Sequence, residues 1–105
     1  DVDSIRLAPI YDLAPMVMDD DGVTRTTKWA KNVEIAGQVD WRAACESLSG
    51  IIQPELAFER LRADAERLRA LPDLLRAGGL PEVTMSHPQI ALKNLDQRLR
   101  EWGLR

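Results

Sequence analysis

The chain has 105 residues, of which 45% are hydrophobic, and both values are typical of one small globular domain. Its 17 acidic residues outnumber its 14 basic residues, so it lacks the overall positive charge expected of a nucleic-acid-binding protein. One cysteine, Cys45, excludes an internal disulfide framework, and with one histidine, His87, it cannot build a zinc site of cysteine and histidine ligands. We therefore expect a single domain over residues 1–105, with a strand and loop segment over 1–39 and a helical part over 40–105.

The sequence shows no apolar run near the roughly 20 residues that span a bilayer, and no signal peptide pattern. We therefore expect a soluble, cytoplasmic chain without a membrane partner. The chain begins at Asp1 instead of a methionine and leads directly into a strand-like pattern, so we interpret it as a piece of a longer protein.

The first predicted element is a short strand that contains Ile5 and Leu7 and whose length Pro9 limits. Farther on, the cluster from Asp19 to Gly22 predicts a solvated turn. The alternative, a calcium-binding loop, lacks the regular ligand spacing and the closing glutamate of an EF-hand. Residues 23–37 are expected to form a strand or an irregular loop.

Asp12 is the most informative residue of the N-terminal segment, because it stands among apolar residues between two prolines, Pro9 and Pro15. A proline fixes its own φ and restricts the residue before it, so this segment is stiffened at both ends. A carboxylate in an apolar setting costs free energy unless a metal ion, a basic partner or solvent compensates it. The residues alone leave two roles open for Asp12, a metal ligand or the N-cap of a short helix.

The residues that follow position 40 predict helices. Asp40 is a suitable N-cap for a first helix that Gly50 ends, and Cys45 lies within it as a buried structural thiol. Pro54 suits the first turn of a long helix that reaches about Ala70 and whose mixed charges predict a solvated outer face.

The C-terminal third carries further helix signals. Pro72 predicts a kink or a restart, and Gly78 ends the segment that follows it. Ser86 or His87 is expected to cap a last helix that begins at Pro88. The apolar residues of these helices recur at spacings of three and four, so we predict a helical core that they form. Its predicted members are Leu61, Leu68, Leu92, Leu95, Leu99 and Trp102.

The run RLAPIYDLAPM, residues 6–16, resembles the P-x-Y-D motif of HipA-like serine/threonine protein kinases, the toxins of HipA/HipB-type toxin–antitoxin pairs. In that family the aspartate of the motif binds the Mg²⁺ that bridges the ATP phosphates, and Asp12 is the residue that matches it. The resemblance also implies the fold, a mainly α domain of about three to four helices with a short N-terminal strand or loop, similar to the family's C-terminal helical lobe.

The resemblance implies a C-terminal fragment of such a kinase that is inactive alone. The family's catalytic loop, of the type G-D-x-H-x-x-N, and its phosphate-binding N-terminal lobe have no counterpart in this sequence, so only the metal ligand Asp12 is carried over. Phosphoryl transfer needs metal ions, a positioned nucleophile and phosphate donors acting together. The cofactors Mg²⁺ and ATP, the protein substrate and an antitoxin partner are accordingly expected for the whole kinase, with the remainder of the kinase chain as the first partner.

Two other functions are compatible with the residues. A free-standing helical protein-interaction module would bind its partner through exposed apolar residues such as Trp29, Trp41 or Trp102. A helical DNA-binding domain is disfavoured by the acidic balance of charges. We also expect self-association through residues 4–18, because an apolar strand with unpaired backbone groups invites pairing with another chain.

Overall fold

A computed structural model describes residues 7–10, 18–22 and 26–105 of the chain. Within this part, the chain is mainly helical, as predicted. A two-stranded antiparallel sheet precedes helices that account for most of residues 41–101. The strands are β1 (Glu34–Ile35) and β2 (Gln38–Val39). The helices are α1 (Trp41–Glu46), α2 (Pro54–Leu68), α3 (Leu71–Ala77), α4 (Glu82–Met85) and α5 (Leu95–Glu101).

The hairpin pairs Glu34 with Val39 and turns through Ala36 and Gly37, which have φ values of 50° and 79°. Two successive residues with positive φ are the pattern of a type I′ turn, whose twist matches that of the strands it joins. The carboxylate of buried Glu34 accepts a hydrogen bond from the backbone N–H of Trp29 at 3.0 Å, which fastens the preceding loop to the hairpin.

The start of α1 confirms the predicted cap, because the Asp40 carboxylate accepts a hydrogen bond from the backbone N–H of Ala43 at 3.0 Å. This bond satisfies one of the backbone donors that the first turn of a helix leaves without a partner. The helix ends at Glu46, and turns carry the chain on to Gly50.

The core lies where α1, α2 and α5 meet. Phe58 and Leu99 are buried there, and Leu99 is fully inaccessible to solvent. Cys45 is buried too, as predicted. Partly buried side chains that include Trp41 and Trp102 surround this cluster. The complete buried cluster is Cys45, Phe58, Ala65, Leu99 and Leu104.

The end of α5 explains why Leu104 belongs to the core. Gly103 has a φ of 69°, its N–H donates to the carbonyl of Arg100, and the N–H of Leu104 donates to the carbonyl of Leu99. These two bonds form a Schellman motif, which needs a left-handed residue and places two apolar side chains together. Leu99 and Leu104 are that apolar pair, so the cap both ends the helix and extends the core.

The predicted start of the last helix, at Pro88, is wrong. Residues 88–94 form turns, with the N–H of Asn94 bonded to the carbonyl of Ala91, and α5 begins only at Leu95. Asn94 has a non-helical backbone, in line with the preference of asparagine for helix ends. His87 is therefore not a cap of a helix at Pro88.

Two of the residues predicted to form the core, Leu68 and Leu92, do not belong to the buried cluster. Leu68, the last residue of α2, is 42% exposed, because the buried cluster ends one turn earlier, at Ala65. Leu92 is partly buried beside α4 and does not belong to the main cluster.

The predicted N-terminal strand lies largely outside the described residues. Within residues 7–10 the backbone is not a strand, and Leu7 is 97% exposed. The predicted turn is confirmed, since the N–H of Gly22 donates to the carbonyl of Asp19 at 3.0 Å. None of the helices in the described part of the chain is long and apolar enough to cross a membrane.

Candidate functional site

An open cleft of about 500 Å³ lies between the end of α2, α3, α4 and the start of α5. Its apolar lining comes from Pro72, Leu92, Leu95 and Met85, of which Met85 is buried. Polar and charged side chains complete the lining. They are Arg69, Arg76, Glu82, Ser86, Lys93 and Asp96.

Local structure places α3 and α4 on either side of this cleft. Pro72 occupies the first turn of α3, where its missing N–H would have had no helical partner. At the other end, the N–H of Gly79 donates to the carbonyl of Arg76 and the N–H of Leu80 to the carbonyl of Leu75. This is a second Schellman motif, and its left-handed Gly79 turns the chain back towards α4.

Asp96 is the centre of an ion-pair cluster at the α5 side of the cleft. Its Oδ1 lies 3.4 Å from Nε of Arg69 and also contacts Nη1 of Arg105, while its Oδ2 lies 2.8 Å from Nη2 of Arg100. Three guanidinium groups therefore surround one carboxylate. These side chains are partly exposed, so solvent screens each pair.

Ion pairs also hold Arg76, which lies on the α3 side of the cleft. Its Nη1 lies 3.3 Å from Asp73 on the same helix, and its Nε lies 3.4 Å from Glu82 at the start of α4. The second of these bonds ties α3 to α4 across the loop that joins them. Lys93, in contrast, forms no ion pair with any residue that the structure describes.

A second groove lies between the hairpin, the N-terminal end of α1 and the C-terminal end of α5, with Trp41 and Trp102 in its lining. The two indole rings meet edge to face, with 6.1 Å between their centroids and an interplanar angle of 70°. The indole Nε1 of Trp41 is buried and has no hydrogen-bond partner among the residues that the structure describes. Both rings pack against the core, so neither is the freely exposed anchor that the interaction-module hypothesis expected.

The fold changes the acid–base chemistry of Cys45. Burial raises the pKa of the thiol above its ordinary value, and this effect exceeds the opposite one of the neighbouring Arg42 guanidinium. A nucleophilic cysteine requires a lowered pKa. The environment of Cys45 therefore favours the inert thiol of a structural residue.

Asp12, the metal ligand predicted from the sequence, lies outside the described residues. The cleft, on the other hand, was not predicted, because its lining comes from four elements and no single stretch of sequence marks it. The signal that could have suggested it is the change from the regular mixed charges of α2 to the restart at Pro72, after which three shorter helices follow.

Comparisons of the chain with protein-family models, with curated proteins and with solved structures found no match.

Proposed function

We propose that this chain is the C-terminal portion of a HipA-like serine/threonine protein kinase and that Asp12 supplies a ligand to Mg²⁺ when ATP is bound. The observation that carries the proposal is the P-x-Y-D segment, Pro9 to Asp12, followed by a mainly helical body. The whole kinase would transfer the γ-phosphoryl group of ATP to a serine or threonine of a protein substrate. The chain alone would not, because Mg²⁺ is usually held by few protein carboxylates together with substrate phosphates.

The test uses the whole kinase with Asp12→Asn. We expect phosphoryl transfer to be lost, because the substitution removes the charge that holds the metal against the phosphates. Folding should remain nearly intact, because asparagine is as good an N-cap as aspartate. The matched control is Asp20→Asn in the exposed turn, which should keep full activity. Full activity of the Asp12→Asn kinase would reduce Asp12 to a structural cap.

A calorimetric titration of the isolated chain with Mg-ATP provides an independent measurement. We expect no binding in the micromolar range, because the missing lobe and catalytic loop would supply most phosphate contacts. Micromolar binding would contradict the assignment of this chain as a fragment.

The alternative is a helical protein-interaction module. It is favoured by Leu74 and Val83, which project from neighbouring helices and are 66% and 75% exposed. The gene distinguishes the two hypotheses: an in-frame catalytic loop before Asp1 would favour the kinase, and a start codon next to Asp1 would favour the module.

Self-association through residues 4–18 is a further part of the proposal. Within this range Leu7 and Ile10 are exposed apolar residues, and exposed apolar side chains next to one another favour contact with a second chain. Sedimentation of the isolated chain should show a concentration-dependent dimer that Ile10→Asp weakens. Ile51→Asp, which makes the same change at an isoleucine that is equally exposed, is the control and should leave the dimer unchanged.

A further inference from the structure

We propose that the cleft between α2, α3, α4 and α5 binds a short peptide segment in which an acidic residue stands next to an apolar one. This inference does not depend on the kinase proposal. It rests on the chemistry of the cleft lining, whose apolar floor and rim of three basic and two acidic side chains lie within one concave surface.

The floor suits apolar side chains of a peptide. Met85, Leu92, Leu95 and Pro72 line it, and the volume of about 500 Å³ falls within the range of known ligand sites, roughly 300–1,000 Å³. Methionine adapts its shape to different partners, which makes it common at surfaces that accept more than one sequence. The floor therefore accepts one or two aliphatic side chains without requiring a particular shape.

The rim suits a carboxylate, because the acidic residues in the lining are already compensated. Asp96 contacts the guanidinium groups of Arg69, Arg100 and Arg105, and Glu82 contacts Arg76. Lys93 has no such compensation from the residues that the structure describes. An incoming carboxylate would therefore find an ammonium group ready to pair with it.

Arg76 is suited to a second contact with the peptide. A guanidinium group has five N–H donors, and two hydrogen bonds, to Asp73 and Glu82, hold Arg76 in place. Its other N–H groups remain as donors to a backbone carbonyl of the peptide. The two existing bonds fix the side chain beforehand, which lowers the entropy lost on binding.

The lining disfavours nucleic acid as the occupant. Among the described residues that line the cleft, none has an aromatic side chain on which a base could stack. The whole chain carries a net charge of −3, so a polyphosphate would be repelled at long range, whereas a peptide with one or two carboxylates is repelled less.

The experiment uses a hexapeptide of serine and glycine that contains one leucine–glutamate pair, is amidated at its C-terminus and carries a zwitterionic rhodamine label, and follows its fluorescence anisotropy as the full chain is added. We expect saturable binding that weakens as salt is raised. The same peptide with lysine in place of glutamate should bind at least about ten-fold more weakly, as expected when charged hydrogen bonds are lost. Equal binding of both peptides, or no saturation, would overturn the proposal.

Two lysine variants locate the site. Lys93→Glu should weaken binding about ten-fold or more, because it replaces attraction of the carboxylate by repulsion. Lys31→Glu makes the same charge change at an exposed lysine outside the cleft lining and should have less than a two-fold effect. Circular dichroism should show both variants folded, since both lysines are exposed. Equal loss in the two variants would show nonspecific attraction and would overturn the proposal.

A second copy of the chain is the rival occupant, because the exposed turn over Asp19, Asp20 and Asp21 is itself acidic. If a second copy filled the cleft, both Asp20→Lys and Lys93→Glu would convert a sedimenting dimer to a monomer. That result would overturn the peptide proposal. A sedimentation profile that neither variant changes, together with peptide binding that Lys93→Glu weakens about ten-fold or more, would support it.

Discussion

The two halves of the helical part are built differently. Around α1, α2 and α5, buried apolar side chains such as Phe58 and Leu99 form a continuous cluster. Around α3 and α4, Met85 is the buried residue, and α3 has none. Ion pairs such as Arg76 with Glu82 connect these two helices instead. Exposed ion pairs contribute little to stability. We therefore expect the half around α1, α2 and α5 to contribute most of the folding free energy. The half around α3 and α4 can then place polar groups around a cleft at little cost in stability.

The most direct way to test this difference is to truncate one leucine in each half. Leu99→Ala should lower the free energy of unfolding by about 2–5 kcal/mol, because it leaves a cavity in a fully buried site. Leu74→Ala on α3 should change it by less than about 0.5 kcal/mol, because that side chain is mostly in solvent. Chemical denaturation of both variants provides the measurement. Equal effects would show that the halves are equally important for stability.

The cap of α1 should have the next largest effect. Asp40→Ala should lower the free energy of unfolding by about 0.5–2 kcal/mol, because it leaves the N–H of Ala43 without its acceptor. Asp40→Asn keeps an acceptor and should cost only a small part of this. Urea denaturation distinguishes the outcomes, and an unchanged midpoint for Asp40→Ala would show that the cap is not needed.

The buried thiol of Cys45 should make the stability of the fold depend on pH. Burial raises the pKa of Cys45, so the unfolded chain loses this proton at a lower pH than the folded chain. Its contribution to stability is therefore fully present below the unfolded pKa, about 8.5, and is lost as the pH rises towards the folded pKa. One proton changes stability by at most about 1.4 kcal/mol per pH unit. Denaturation midpoints at pH 8 and pH 10 should differ more for the wild type than for Cys45→Ala.

The smallest effect is expected at the Asp96 cluster. Asp96→Asn should change the free energy of unfolding by no more than about 1 kcal/mol, because the pairs with Arg69, Arg100 and Arg105 are partly exposed. Added salt should reduce the effect further. Glu101→Gln, which removes the exposed pair with Arg98, is the matched control. A loss of several kcal/mol would show that ion pairs are as important as the apolar core.

The sequence predicted features that depend on local backbone chemistry. Asp40 as a cap and Pro54 in a first turn are both found, because each residue type favours that backbone position for its own reasons. The structure also agrees with the predicted fold class. The short helix α4 was not predicted, because its four residues carry no periodic pattern of their own.

The exposure of single residues and the position of the cleft could not be predicted, because both depend on which elements pack against one another. Leu68 continues the apolar spacing of α2 but remains 42% exposed, and spacing alone does not reveal this. The cleft is a similar case, since Arg69 and Lys93 are far apart in the sequence but line the same cleft. The predicted site residue, Asp12, came from resemblance to a family motif, and it stays a prediction.

The contact between Trp41 and Trp102 makes the protein its own optical reporter. One ring belongs to the first helix and the other follows the last, and their centroids lie 6.1 Å apart. Two indoles this close exchange excitation, so near-ultraviolet circular dichroism and tryptophan emission will report whether the two ends of the helical part are in contact. Because α3 and α4 contribute no tryptophan, their opening alone would leave this signal unchanged, and a spectroscopist could separate local from global unfolding without attaching a dye.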